Sequence, residues 1–540
     1  MTNISGNIVD VLHDRIYPGT LVISDGRIVD IIEENREYDT YIIPGFVDSH
    51  IHIESSMLTP AEFARIAVIH GTVAVVSDPH EIANVLGMDG VRYMIDNGRK
   101  SLLKFFFGAP SCVPATPFET SGAVIDSRAI SELLSSDDVR YLSEVMNYPG
   151  VLSREPEVMA KIGIAKGLNK PIDGHAPGLR GDMLREYVGA GMQTDHETYE
   201  LDEALEKLKL SMSVQIREGS AAKDFDALHR IIDRYSSLCM FCSDDKHPDD
   251  LIKGHINLLV KKAVALGHDP MAVLRCACVN PVLHYGLDVG LLQIGDCADL
   301  AVVDDLKAFT VIETWINGCK AACKGKTLLP QVAGDAPNVF NVSSKDVSQF
   351  RVPALSEEIH IIHAKDGQLI TGSIRDRALV TDGCAVSDTS RDILKISVVN
   401  RYEDSRPAVG FVKGFGLVRG AIATSVAHDS HNIVAVGVTD RDICDAVNAV
   451  IENRGGLAAA HEGQVESLAL RVAGLMSDED AYKVAERYSL LDSLAGEFGS
   501  TMNAPFLTLS FMALLVIPSL KLSDKGLFDA ERFTFTSLFV

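Results

Sequence analysis

Short apolar runs alternate with longer amphipathic segments between residues 44 and 285. A short apolar run bounded by turn residues is typical of a buried strand, whereas apolar positions repeated every three or four residues are typical of a helix. Eight runs predict strands, at 46–52, 72–77, 104–108, 139–145, 171–175, 192–196, 210–216 and 238–243. Helical patterns lie between them, including 60–70, 82–97, 154–166, 179–189, 221–235 and 256–266. This alternation predicts an α/β fold with a (β/α)8 TIM-like barrel, and an open doubly wound sheet is the alternative.

The first of these helices has a recognisable start signal. Thr59 is the predicted N-cap, Pro60 occupies the first helical position, and Glu62 is placed to complete a capping box. Gly71 follows the last residue of the pattern. The helix is therefore expected to begin at residue 60 with Thr59 and Glu62 satisfying its free N–H groups.

The segments on either side of the barrel pattern differ from it. Short apolar runs separated by turn residues occupy the first forty residues and recur from 295 to 318, which predicts one small composite β domain built from 1–43 and 286–340. The barrel is expected to span 44–285. Residues 345–540 contain strand-like runs followed by an apolar, helix-permissive end, which predicts an additional α+β C-terminal domain.

Composition narrows the classes of partner. The chain of 540 residues has a net charge of −24, which argues against nucleic acid and against an anionic membrane as partners. A neutral or cationic small molecule is easier to accommodate. The ten cysteines lack the spacing of a disulfide framework, and the first residues lack the pattern of an export signal, so we expect a cytoplasmic protein.

Histidines and acids collect at the ends of the predicted strands. His50 and His52 end the first strand two residues apart, so their side chains point the same way. The other strand ends carry Glu144, His175, His196 and Asp244. The carboxyl ends of barrel strands share one rim, where such groups form active sites. Taken singly, each of these residues is explained as an acid that caps a turn or as a histidine at the edge of the core. Their position together at one rim predicts a metal centre.

The ligand types suggest how two divalent ions would be held. His50, His52 and Asp244 are assigned to one ion, His175 and His196 to the other, and Glu144 to a bridge between them. Imidazole and carboxylate together suit zinc, iron or manganese without choosing among them. Ions of this kind lower the pKa of a bound water to about 7. Asp244 is the candidate to move its proton, so the chemistry predicted is hydrolysis.

Several motifs resemble one known family. They are Pro-Gly-Phe-Val-Asp-Ser-His-Ile-His from residue 44, Ser-Asp-Pro-His-Glu-Ile-Ala-Asn from 77, Glu-Val-Met-Asn from 144, Asp-Gly-His-Ala-Pro-Gly from 173, Thr-Asp-His-Glu from 194 and Ala-His-Asp-Ser-His-Asn from 427. The sequence is similar to the adenine deaminases of the amidohydrolase superfamily. The His-x-His pair marks only the superfamily, whereas the runs from 77 and 173 are more specific. The resemblance covers nearly the whole chain.

The resemblance implies hydrolytic deamination of adenine to hypoxanthine and ammonia by a binuclear centre. Manganese is the metal that it implies first, with iron and zinc as alternatives, and a homo-oligomer, a dimer, is expected. Many amidohydrolases bridge their metals with a carbamylated lysine, but Glu144 occupies that strand here. Glu81 and Glu197 become candidates to contact ring nitrogens of the purine or to donate a proton.

Other functions remain open at the level of sequence. Another amidohydrolase acting on a cyclic amide or an N-acyl bond would have much the same metal ligands. A non-catalytic barrel would be expected to lose ligands, yet all six are present. For His428, Asp429 and His431, a substrate-side or structural role is favoured over a second metal site.

Overall fold

The computed structural model of the protein describes residues 1–366 and 368–540. The chain begins with four strands, which are β1 (Thr2–Asp10), β2 (Arg15–Ser24), β3 (Arg27–Glu33) and β4 (Tyr41–Pro44). β1 and β2 form a hairpin with Thr2 opposite Ile23 and Asp10 opposite Arg15. β4 runs parallel to β1 and delivers the chain to the first barrel strand.

Eight parallel strands follow and form the barrel. They are β5 (Phe46–Ile51), β6 (Thr72–Ser77), β7 (Lys104–Ala109), β8 (Val139–Val145), β9 (Ile172–Gly174), β10 (Thr194–Asp195), β11 (Ser213–Arg217) and β12 (Cys239–Cys242). Each pairs with its neighbours in chain order. The backbone of Asp244 closes the ring, because its N–H donates to the carbonyl of His50 and its carbonyl accepts from the N–H of His52. The predicted α/β fold with a TIM-like barrel is confirmed.

Helices join the barrel strands and cover the outside. They are α1 (Pro60–Ala67), α2 (His80–Leu86), α3 (Met88–Gly98), α4 (Ser127–Leu134), α5 (Tyr148–Leu152), α6 (Pro156–Gly167), α7 (Gly181–Gly189), α8 (Leu201–Lys209), α9 (Phe225–Leu228), α10 (Ile232–Tyr235), α11 (Pro248–Lys253), α12 (Ile256–Ala265), α13 (Pro270–Leu274) and α14 (Asn280–Tyr285). The continuous helix predicted at 82–97 is wrong. It breaks at Gly87, whose φ of 61° lies in the left-handed region that glycine adopts at little cost.

The predicted capping of α1 is also wrong in its detail. The helix does begin at Pro60, but the Thr59 side chain makes no capping hydrogen bond. The carboxylate of Glu62 instead accepts a 2.8 Å hydrogen bond from Arg65, one turn further along the same helix. The ion pair within the helix therefore takes the place of the capping box.

The chain then returns to the first sheet. Four strands, β13 (Leu300–Val303), β14 (Val311–Ile316), β15 (Cys319–Cys323) and β16 (Lys326–Thr327), join β1–β4 in one sheet of order β16-β15-β14-β13-β4-β1-β2-β3. The sheet therefore combines strands from both sides of the barrel in the sequence. The exact domain boundaries stay predictions.

The remaining chain forms a further α+β region. Its strands are β17 (Val352–Pro353), β18 (Glu358–His363), β19 (Gly372–Arg377), β20 (Leu379–Thr381), β21 (Cys384–Val386), β22 (Ile393–Val399), β23 (Ala408–Lys413), β24 (Ala421–Thr424), β25 (Ile433–Gly437), β26 (Gly456–His461), β27 (Gln464–Ala469), β28 (Leu520–Ser523), β29 (Gly526–Asp529) and β30 (Thr534–Phe535). Its helices are α15 (Asp440–Glu452), α16 (Ala481–Glu497) and α17 (Pro505–Phe511). Eight of the strands form one sheet of order β19-β18-β23-β22-β25-β24-β26-β27.

This C-terminal region packs against the rim of the barrel. His247, which follows β12, shares a 2.7 Å hydrogen bond with the hydroxyl of Tyr488 on α16. Asn432 donates to the carbonyl of Thr120 in the loop after β7. One apolar core runs continuously from the barrel into this region. Among the described residues, none of the helices has both the length and the apolar character required to cross a membrane.

Candidate metal centre and substrate pocket

The six predicted metal ligands meet at the carboxyl end of the barrel. His50 lies in β5 and His52 directly follows it, while Glu144 lies near the end of β8. His175, His196 and Asp244 each follow the last residues of β9, β10 and β12. All six side chains are buried or nearly so. Parallel strands bring their carboxyl ends to one rim, which explains why residues far apart in the chain converge here.

Glu144 lies at the centre of this cluster. Its Oε2 atom is 2.6 Å from Nδ1 of His175 and 3.2 Å from Nε2 of His196. Its Oε1 atom is 3.3 Å from Nε2 of His52. One carboxylate therefore touches the imidazoles of both predicted ion sites, as a bridging ligand would.

The other end of the cluster contains His50, His52 and Asp244. Nε2 of His52 lies 3.2 Å from Nε2 of His50 and 3.2 Å from Oδ1 of Asp244. The same acid oxygen is 3.7 Å from Nε2 of His50, so the three atoms surround one point. Atoms spaced by about 3 to 4 Å are also what metal bonds of about 2.1 Å produce. The residues therefore fit divalent ions.

A further pair of residues belongs to this cluster and was not among the predicted ligands. Nδ1 of His80 is 3.3 Å from Oε1 of Glu144 and 3.2 Å from Oδ2 of Asp78. Asp78 and His80 immediately follow β6. The same rule of strand ends that found the other six could have found them, because the motif Ser-Asp-Pro-His closes this strand.

Electrostatics favour the ionised acids in this buried place. Burial alone would raise the pKa of Glu144, but the adjacent His175 and the hydrogen bonds from His196 and His52 hold it well below its usual range. Burial likewise would lower the pKa of His52, and its hydrogen bonds to Asp244 and Glu144 raise it well above the ordinary value. The acids thus remain charged, and a cation bound by His52 would take the place of the proton on its ring.

Arg217 fixes the predicted proton carrier Asp244. Nη1 of Arg217 lies 2.8 Å from Oδ2 of Asp244, which leaves Oδ1 directed to the histidines. Arg217 also contacts Glu197, and its side chain is almost fully buried. Its Nε donates to Asp224 at 3.0 Å. The Arg217 side chain therefore orients both Asp244 and Glu197, and sequence analysis missed it.

Glu81, the third predicted catalytic acid, contacts the C-terminal region. Its Oε1 atom contacts Nδ1 of His428, and its Oε2 atom lies 2.5 Å from Nε2 of His431. His80 Nε2 lies 3.4 Å from Oε1 of Glu81 and 3.5 Å from Oδ1 of Asp429. The cluster of His428, Asp429 and His431, for which a substrate-side or structural role is predicted, thus lies next to His80 and Glu81.

A small pocket lies over the cluster. Seven of the eight predicted site residues line it, and His50 lies behind them. The opposite wall is apolar and comes from the C-terminal region, through Leu369, Phe511, Leu514, Val516 and Ile517. An apolar wall facing a few polar groups is typical of a site for a small molecule.

Family models and known proteins match nearly the whole chain. The amidohydrolase family model matches residues 41–321, and the model of the adenine deaminase C-terminal domain matches residues 368–534. An adenine deaminase of Salinibacter ruber is 54% identical over 540 residues, covering 100% of this chain and 99% of the relative. One of a Sulfurovum species is 55% identical over 98% of both chains.

Solved structures are more distant. A beta-aspartyl dipeptidase of Fervidobacterium islandicum shares 14% identity, with a TM-score of 0.45, over 60% of this chain and 96% of its own. The two full-length relatives, in contrast, share about half of all residues with this chain. The chain therefore belongs to the adenine deaminase family of the amidohydrolases.

Proposed function

We propose that this protein hydrolyses adenine to hypoxanthine and ammonia. The observation that carries the proposal is the identity of about half of all residues, over the whole chain, with relatives named adenine deaminase. The buried cluster around Glu144 supports it, because such a cluster suits hydrolysis of a carbon–nitrogen bond. The apolar wall supplies a surface on which a purine ring would pack.

We assign two divalent metal ions to the cluster, with Mn²⁺ first and Fe²⁺ or Zn²⁺ as alternatives. His50, His52 and Asp244 would hold one ion, His175 and His196 the other, and Glu144 both. Three buried groups of histidine and carboxylate atoms, each with its atoms within 4.8 Å of one another, support a metal centre here, although His196 is grouped with His50 and Asp244 as well as with Glu144 and His175, and His52 is grouped with Asp78, His80 and Glu144. When bound, the ions would supply a water acidic enough to yield hydroxide near neutral pH.

The protein groups would direct the protons of the reaction. Asp244 is proposed to accept a proton from the attacking water through Oδ1, while Arg217 holds its other oxygen. The same proton would pass to the exocyclic amine as the bond from C6 to nitrogen breaks, so that ammonia leaves. Glu197, which lines the pocket beside Arg217, is proposed to contact ring nitrogens of the purine.

Turnover of adenine tests the proposal. Protein loaded with Mn²⁺, Fe²⁺ or Zn²⁺ is mixed with adenine, and the fall of the adenine absorbance band is followed together with ammonia release. Asp244→Asn should lower kcat by a factor on the order of 10³, since it removes an acid–base group. Asp89→Asn, an exposed position on α3, is the matched control and should keep the wild-type rate.

Two outcomes would contradict the proposal. Absence of adenine turnover with all three metals would exclude the activity, and turnover of a cyclic amide or an N-acyl compound in its place would favour another amidohydrolase. A near-normal rate in Asp244→Asn would remove that residue from the mechanism.

We also propose that the protein is a homo-oligomer, a dimer, in the cytoplasm. The cysteines in the described residues are all free, and most are buried, which is consistent with a reducing compartment. Light scattering of the eluted protein measures the oligomeric state, and cell fractionation measures the location. A monomer, or protein in the exported fraction, would contradict these assignments.

A further inference from the structure

One histidine of the C-terminal region reaches into the substrate pocket. His428 lies in the segment between β24 and β25 and lines the pocket. Its ring is buried, and its Nδ1 atom contacts Oε1 of Glu81. Its Nε2 atom has no hydrogen-bond partner within residues 1–366 and 368–540. Leaving a buried polar nitrogen without a hydrogen-bond partner costs free energy of folding, so we expect a bound ligand to pair with the Nε2 atom.

The neighbouring His431 shows how Glu81 is held. Nδ1 of His431 accepts a 3.2 Å hydrogen bond from the backbone N–H of Ala427. In a neutral imidazole, one nitrogen accepts and the other carries the proton. Burial lowers the pKa of His431, so this ring is neutral and its proton lies on Nε2, which faces Oε2 of Glu81 at 2.5 Å.

Glu81 therefore has both oxygens occupied by histidines of the C-terminal region. Nδ1 of His428 is hydrogen-bonded to Oε1, whereas Nε2 of His431 lies close to Oε2 without the geometry of a hydrogen bond. Since a carboxylate only accepts hydrogen bonds, Nδ1 of His428 must carry a proton. Glu81 is thus placed to act on a substrate through His428.

Charges around His428 favour its doubly protonated form. Burial favours the neutral ring, but the carboxylates of Glu81, Asp245 and Asp429 outweigh this and raise the pKa of His428 to about 9. The two other imidazoles near it, His431 and His247, are neutral, because burial lowers the pKa of each. The second proton then lies on Nε2, where the nearest acid oxygen, Oδ1 of Asp245, is 3.8 Å away.

We propose that the Nε2–H group of His428 donates a hydrogen bond to a ring nitrogen of the purine, and that Glu81 is the positioning residue that orients it. The inference rests on the proposed function. Addition of oxygen at C6 moves an electron pair of the ring onto a nitrogen, and a charged donor there stabilises the transition state. The ring of Phe511 stacks on His428, with the ring centroids 5.5 Å apart, and lines the same pocket. The C-terminal region would then supply part of the active site.

Two substitutions separate a donor from a merely structural residue. His428→Asn retains an amide N–H near the position of Nδ1, where it can bond to Glu81, but has no group at the position of Nε2. His428→Gln places an amide N–H near Nε2 and gives up the bond to Glu81. Both side chains are uncharged, and both fill part of the space of the ring.

The experiment measures the dissociation constant for hypoxanthine by equilibrium dialysis, together with kcat and KM for adenine. If His428 donates to the purine, His428→Asn should weaken hypoxanthine binding about 10-fold and lower kcat/KM by about 100-fold. His428→Gln should recover most of the hypoxanthine affinity. Glu81→Gln should lower kcat more than it raises KM, because it disturbs the orientation of the donor. Metal content and melting temperature are measured for each variant as controls of folding.

The opposite pattern would overturn the inference. If His428→Asn binds hypoxanthine as wild type does, or if His428→Gln is the more damaged of the two, His428 only supports Glu81. A loss of metal from the His428 variants would assign the cluster to an ion and would also overturn it. Failure of the proposed function is seen separately, because the wild-type protein itself would then leave adenine unchanged.

Discussion

Nδ1 of His175 lies 2.6 Å from Oε2 of Glu144, although 31 residues separate them in the sequence. The two residues come from the adjacent parallel strands β8 and β9. Their contact arises because neighbouring strands of a barrel end at the same rim. The other oxygen of Glu144 lies 3.3 Å from Nε2 of His52, so Glu144 links the two halves of the proposed binuclear centre.

Arg217 is expected to be essential for stability as well as for orientation. Arg217→Met would leave the carboxylates of Asp244, Glu197 and Asp224 buried without their cation. Breaking a buried ion pair in this way costs about 3–5 kcal/mol. Thermal unfolding measures the effect, and Arg441→Met, at an exposed position on α15, is the control that should keep the wild-type melting temperature. Equal melting temperatures in the two variants would show that Arg217 is not needed to balance these acids.

Removal of divalent ions should destabilise the protein. A ligand present at about 1,000 times its dissociation constant stabilises the folded state by about 4 kcal/mol. Dialysis against a chelator should therefore lower the melting temperature and abolish adenine turnover, and both should return on addition of Mn²⁺. Full activity in protein shown by elemental analysis to lack metal would contradict the assignment of the cluster.

Lys521 should give the stability a distinctive dependence on pH. Its Nζ atom is buried and donates to the carbonyls of Leu369 and Phe511, two residues of the apolar wall. Burial lowers the pKa of Lys521 from 10.5 to about 7. Between these values the unfolded chain binds the proton and the folded chain does not, so stability rises with pH across this window. Below pH 7 both states are protonated, and the folded state bears the full cost of the buried charge.

The comparison of wild type with Lys521→Met isolates this contribution. From pH 7 to pH 10, the free energy of unfolding of wild type should rise relative to that of the variant by up to about 1.4 kcal/mol per pH unit. Denaturant unfolding at several pH values measures the difference. Parallel pH profiles for the two proteins would mean that Lys521 does not titrate in this window.

Phe511 should contribute mainly to substrate binding. It lies in the apolar wall, and Phe511→Leu keeps an apolar side chain but removes the flat ring. Loss of contact area that substrate and transition state share raises KM and leaves kcat nearly unchanged, and we expect KM to rise about 10-fold. Phe506→Leu, on the same helix but outside the pocket, is the matched control. A similar KM in both variants would place the purine elsewhere.

The barrel could be predicted from sequence because its signals are local. Buried parallel strands appear as short apolar runs, and the predicted strands at 72–77 and 139–145 coincide with β6 and β8. The carboxyl ends of the predicted strands carry His50, His52, Glu144 and Asp244, and the topology of a barrel brings these ends to one rim. Their roles as ligands stay predictions.

Other features depend on contacts that no local pattern announces. Arg217 ends β11 like any strand-end residue, and only the fold reveals that three acids surround it. The wall formed by Leu369 and Phe511 requires the packing of a distant region onto the barrel. The capping box predicted for α1 does not form, because Arg65 donates a hydrogen bond to the carboxylate of Glu62. Which partner Glu62 takes depends on side-chain geometry.

The most direct test of the central claim is the metal content of Glu144→Gln, measured together with its adenine turnover. The substitution keeps the shape of the side chain and removes the charge that would bridge two ions. We predict a fall from two ions to at most one per chain, and a loss of kcat by a factor on the order of 10³, because the nucleophile and its acid–base partners would be disturbed. Glu62→Gln, another buried glutamate outside the pocket, is the control. Two bound ions with near-normal turnover in Glu144→Gln would contradict the account.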